Sequence, residues 1–224
     1  MKTKIPKLPL RPFASWDEDM VKIELGLKKV RSSALLTEWT TTPYTPSQAE
    51  TEAITRLKDS LFDNVVSWNE DELKFKFLGP FMQIINFDQE DFRAFTQRKI
   101  EAVVETVDKK QIRVGGVVDF VIAMGRVNPR HPFFFLHEYK KERGSANDPL
   151  AQVLVEMLAA QILNGTDEPM YGCYIIGRNW FFIVLEGSDY AVSDVFVATQ
   201  DDIFQITAIL KAIKKRVEDA VAAL

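Results

Sequence analysis

Two stretches, Phe92 to Glu105 and Gln111 to Met124, are dominated by β-branched and aromatic residues, and only a turn-like Val107-Asp108-Lys109-Lys110 separates them. They read as a hairpin. A second apolar strand, PFFFLHEYK (132–140), follows after the loop RVNPRHP. The connection ERGSANDP then leads to a helix from Pro149 to about Leu163, with Asp148 or Asn147 as cap, Pro149 at the first helical position and Asn164-Gly165 as the stop. An antiparallel hairpin ahead of a central helix argues for an α+β or α/β chain with a mixed central sheet flanked by helices, rather than a fully parallel sheet.

The flanks complete that outline. Trp16, Met20, Ile23, Leu27 and Val30 recur at helical spacing after Ser15, a plausible N-cap, which predicts an amphipathic helix over 15–30. TEWTTTPYTPSQ reads as a loop, and a helix with the stripe Ile54, Leu57, Leu61 and Val65 is expected from about Pro46. The alternation of Leu73, Phe75 and Phe77 with Glu72, Lys74 and Lys76 predicts a strand, and FMQIINF another, followed by the polar turn DQEDF. YGCYIIG and NWFFIVLEG form a strand pair, and a helix closes the chain from about Asp201 to Ala223.

With 224 residues, 46% of them hydrophobic and 27% charged, the chain has the composition of one folded domain. Residues 46–224 are expected to form it, with residues 1–45, a basic proline-bearing arm and the first helix, packed on its core. The best candidate span, Val153 to Leu163, is interrupted by Glu156 and Gln161 and falls short of roughly 20 residues, so no membrane span is expected. The N-terminus lacks the uninterrupted apolar segment of a secretory signal, and a single cysteine, Cys173, precludes an internal disulfide. A cytoplasmic protein is the expectation. The net charge of −4 argues against nucleic-acid binding through a broad positive field but leaves open a carboxylate metal site, whose charges count as negative until the metal binds. No GxGxxG or GxxxxGK[ST] occurs, so a dinucleotide or P-loop site has little support.

Chemistry concentrates where charge enters apolar strands. Strict alternation puts Phe134, Leu136, Glu138 and Lys140 on one face of their strand and Phe133, Phe135, His137 and Tyr139 on the other. Asp119 lies inside the apolar run GGVVDFVIA, where a lone carboxylate is costly unless it is paired or binds metal. If the two strands are neighbours, Asp119 and Glu138 make a hard-oxygen site suited to Mg²⁺ or Mn²⁺, with Lys140 able to hold an attacking water or offset phosphate charge. His131 and His137 read as structural or exposed, and Trp180, Phe181 and Phe182 as core.

Taken together, GVVDF, FLHEYK and DPLAQVLVEM resemble the PD-(D/E)xK nuclease superfamily over roughly residues 47–185. The resemblance implies a restriction-endonuclease-like core: a helix, a hairpin supplying Asp119, a strand supplying Glu138 and Lys140, then a helix presenting Gln152. It implies Mg²⁺- or Mn²⁺-dependent hydrolysis of phosphodiester bonds, in DNA ahead of RNA, with Tyr139 adding its backbone carbonyl to the metal ligands. Val118 stands where the family name has proline, a departure seen in many members. The family often adds a glutamate from the first core helix, and Glu50 is the candidate, although Ser47 and Glu50 also fit an S-x-x-E capping box. Two rival readings stand beside a nuclease. One is the same fold kept as a module that binds nucleic acid or a protein without turnover. The other is an ordinary sheet in which Asp119, Glu138 and Lys140 merely pair. A homodimer is left open.

Overall fold

The structure, a computed structural model, describes residues 8–140 and 148–223, with side chains through Leu136 and again from Asp148. The chain order is β1 (Leu10–Pro12), α1 (Glu18–Leu25), β2 (Lys28–Lys29), α2 (Ala34–Thr40), α3 (Gln48–Asn64) and α4 (Glu70–Leu73). A π-helical turn (Lys74–Leu78) runs from α4 into α5 (Gly79–Ile85). Then come β3 (Phe92–Glu105), β4 (Gln111–Met124), β5 (Arg130–Lys140), α6 (Pro149–Asn164), β6 (Met170–Ile176), β7 (Asn179–Glu186), β8 (Asp189–Val192), β9 (Phe196–Val197) and α7 (Asp202–Ala222).

Among the described residues the strands form one mixed nine-stranded sheet. β3, β4 and β5 make an antiparallel meander, as the hairpin predicts, and α6 then crosses over so that β6 lies parallel to β5. β7 returns antiparallel to β6, with β8 and β9 along its far side. Helices cover both faces. On one, α6 lays Val153, Leu154 and Met157 against Val118, Val121 and Phe135. On the other, α2, α3, α5 and α7 bury Trp39, Ile54, Phe81 and Ile209 against Ile122, Phe134, Leu136 and Phe182. The segment before Ser47 is built into the same body, because β1 pairs with β4 and β2 with β8. Arg11 is held there by Glu24 at 2.6 Å and lies over the Trp16 ring.

Four expectations change. The first helix is shorter: Asp17, whose side chain accepts from Met20 N, caps it, and Gly26 at φ 72 ends it before Leu27 and Val30. Part of the expected loop after Ser33 is helical, because the Ser33 hydroxyl caps Leu36 N and buried Trp39 anchors the turn. Residues 70–85 are helical, not two strands. Asn69 and Glu72 form a reciprocal capping box, Glu70–Lys74 and Glu72–Lys76 pair at i,i+4, and Leu73, Phe77, Phe81 and Ile85 are buried at four-residue spacing. Leu73 and Phe77 of LKFKF belong to that stripe, while Phe75 between them is exposed. Finally, β5 gains a residue against β6 between the pairs His137–Tyr174 and Lys140–Ile176, so alternation does not run unbroken to Lys140.

Candidate active site

Asp119 sits at a break in the pairing of β4. One edge of β4 is taken by β5 from Met124 to Phe120 and by β1 from Gly115 to Arg113, and Asp119 falls between the two. On the other edge Thr96 pairs with Phe120 and Arg98 with Val118, while Gln97 between them turns to φ 53. A left-handed glutamine inside a strand is strained, and such residues concentrate at functional sites. Its amide Nε2 donates to Asp119 Oδ1 at 2.9 Å. The strand also turns over here: Val118 packs on the α6 side, whereas Phe120, two residues on, packs on the opposite side. Asp119 thereby borders both layers. It forms part of the wall of a cleft of about 820 Å³ between the α4–α5 arm and the sheet.

Behind the sheet, α6 brings two polar side chains into an apolar layer. Asp148 caps the helix, accepting from Leu150 N at 3.0 Å and Ala151 N at 3.1 Å, and this fixes the first turn that carries Gln152. Gln152 is buried, and its Nε2 donates to Glu156 Oε1 at 3.2 Å, one helical turn on. Glu156 is only 1% exposed. Burial holds its carboxyl well above the usual range; the hydrogen bond from Gln152 works the other way, and the charge of Asp119 adds to the upward shift. Glu156 is the residue that sequence reasoning passed over, noted only as an interruption of an apolar run. The signal was present: Leu150 through Met157 are buried all round, so a glutamate among them demands a reason.

Of the residues predicted for the site, Asp119 lies near enough to Glu156 for its charge to raise that carboxyl, and Gln152 joins it only through its hydrogen bond to Glu156. Glu138, Tyr139 and Lys140 have their backbone in β5, the strand that pairs with β4 up to Leu136, while their side chains, and that of His137, lie outside the described residues. Lys141, Arg143 and Asn147 lie outside them altogether.

Glu50 has other partners. It completes the capping box with Ser47 and pairs with Lys211 Nζ of α7 at 2.8 Å. Lys211, helped by the Ser47 backbone and Tyr44, pulls its pKa down to about 2. His131 (φ 49), its pKa lowered by burial, lines a separate cavity of about 660 Å³ with Arg216 and Tyr171. Trp180 and Phe182 are core, and Cys173 is buried with its thiol pKa raised well up by that burial.

Among the described residues no group of three or more histidine, cysteine, aspartate or glutamate side chains is gathered to hold a metal ion, a set that excludes Glu138. The chemistry of the donors nevertheless suits one. Asp119 offers carboxylate oxygens, the ligand type a hard divalent cation takes. No described helix is long and apolar enough to cross a membrane.

Comparison with protein-family models finds no match, and comparison with curated proteins finds no relative.

Proposed function

We propose that the chain is a divalent-metal-dependent nuclease with a restriction-endonuclease-like core, hydrolysing phosphodiester bonds in DNA ahead of RNA. The observation that carries this reading is the strand break at Asp119. A carboxylate stands where β5 leaves β4, the β5 strand continues into Glu138-Tyr139-Lys140, and α6 turns back to set Gln152 and Glu156 behind it. Helix, hairpin with aspartate, strand with ExK and helix with glutamine follow in the order the family resemblance requires.

In this reading Asp119 and Glu138 hold Mg²⁺ or Mn²⁺, with the Tyr139 carbonyl as a further ligand. A divalent ion held there would supply Lewis-acid polarisation of the phosphoryl group and activation of water. Lys140 hydrogen-bonds the attacking water or offsets charge developing on the phosphate. Gln97 fixes the Asp119 carboxylate from the open side, and Gln152 with Glu156 supports the site from within the core. Such outer partners typically change metal affinity by about 10- to 100-fold when removed.

The test is cleavage of plasmid and oligonucleotide DNA by the full chain with and without Mg²⁺. Glu138→Ala and Lys140→Ala are expected to fold normally and to lose the activity. Variants that cut as fast as the parent overturn the assignment. Salt-sensitive DNA binding without cleavage or metal binding points instead to a module that binds without turnover.

A further inference from the structure

The cleft that Asp119 borders has an unusual rim. The π-helical turn at Lys74–Leu78 is inserted between two α-helical segments, and such turns are rare and recur at functional sites. Around it Leu73, Phe77 and Phe81 are buried, with Phe77 stacked on Phe81 at 5.6 Å. Phe75 is turned the other way, 84% exposed, at the mouth of the cleft. Inside, Leu78, Met82, Phe120 and Leu136 form apolar walls, and Thr96, Gln83 and Gln97 offer hydrogen-bonding groups.

Among the described residues this cleft has a mainly acidic border. Besides Asp119 it is bordered by Glu70, Asp71 and Asp88, while Lys74 pairs with Glu70 at 2.7 Å. Away from a metal ion at Asp119, the carboxylates among these described residues disfavour phosphates and leave room for an uncharged group. A nucleobase is uncharged, has two apolar faces for stacking and a polar edge for amides and hydroxyls. A volume of about 820 Å³ is in the range that encloses small-molecule ligands. A paired base cannot present its face to Phe75; an unstacked one can.

Building on the nuclease reading, we infer that the cleft receives an unpaired nucleobase stacked on Phe75, so that the strand delivered to Asp119 is single-stranded or locally opened. The sugar–phosphate chain stays outside the acidic cleft and passes the end of β5.

The experiment uses the full chain, a mixed-sequence single-stranded DNA and a closed duplex of the same length with hairpin ends. Binding is read by fluorescence anisotropy with Ca²⁺ in place of Mg²⁺, and cleavage with Mg²⁺. The parent is expected to prefer the single strand. Phe75→Ala, at an exposed position, should weaken single-strand binding about 5- to 150-fold, the equivalent of the ~1–3 kcal/mol of one base–aromatic stack, and Phe75→Trp should restore it. A parent that prefers the closed duplex, or a Phe75→Ala protein that binds and cuts single strands as the parent does, overturns the inference while leaving the nuclease reading intact. Phe75-dependent binding without any Mg²⁺-dependent cleavage sinks the nuclease reading and keeps the base pocket. Absence of any nucleic-acid binding overturns both.

Discussion

Glu50→Gln separates a structural carboxylate from a metal ligand. Glutamine keeps the reach back to the Ser47 backbone N–H, which Glu50 Oε2 accepts at 2.9 Å, because either residue serves at that position of a capping box. What it loses is the charge facing Lys211 and the positive end of α3. A fall in pKa from 4.5 to about 2 sets a ceiling of ~3 kcal/mol at ~1.4 kcal/mol per unit. Both side chains of the Glu50–Lys211 pair are 29% exposed, and solvent screening reduces the expected loss to ~1 kcal/mol.

The folded pKa lies below the unfolded one. The contribution is therefore complete above pH 4.5 and disappears as the pH falls towards 2. Urea unfolding at pH 7 should find Glu50→Gln less stable than the parent by ~1 kcal/mol, with the two converging at about pH 2 to 3. Mn²⁺ affinity should be unchanged. A variant as stable as the parent at pH 7 that binds Mn²⁺ about ten times more weakly would place Glu50 at the metal site instead.

Three further outcomes follow from the packing. Trp39 is fully buried, donates to the Ile209 carbonyl at 2.9 Å and meets Tyr171 and Phe182 edge-on, so Trp39→Ala should cost ~3–5 kcal/mol in urea unfolding. A Cβ on Gly172 would lie 2.7 Å from Met157 Sδ and 2.9 Å from Val153 Cγ1. Gly172→Ala should therefore cost ~1–3 kcal/mol and, by displacing α6 and its Gln152–Glu156 pair, reduce cleavage by more than the loss of folded protein explains. Asp148→Ala removes the cap of α6 and the acceptor for Glu18 N at 3.1 Å, and thermal unfolding should register ~1 kcal/mol of destabilisation.

The sequence was most legible where one period dominated and both ends were punctuated. β3 and β4 match the two apolar runs residue for residue, and α6 begins and ends at its proline, aspartate cap and glycine. It misled where a short pattern fitted two periods. LKFKF alternates like a strand, but the capping box at Asn69 and the distant Phe81 and Ile85 make it part of a helical stripe. The two-residue strands β2 and β9 exist only through pairing with β8 and β7, a tertiary cause that no local pattern carries. In the candidate site Asp119 was legible as a charge in an apolar strand. Its setting was not, because the left-handed Gln97 and the last β4–β5 pair at Phe120–Leu136 arise from how three strands meet. Glu156 was legible in principle, as a carboxylate in a helix apolar on every side, once α6 is seen to be buried between β5 and the N-terminal helix.

In the proposed site Asp119 and Glu138 share one metal ion where β5 leaves β4. A crystal of the full chain soaked in Mn²⁺ and measured for anomalous scattering tests it directly. A peak bounded by the Asp119 carboxylate and the Glu138 side chain is expected, lost in crystals of Asp119→Asn. A map without density there, with Asp119 still held by Gln97 and the manganese elsewhere or absent, contradicts it.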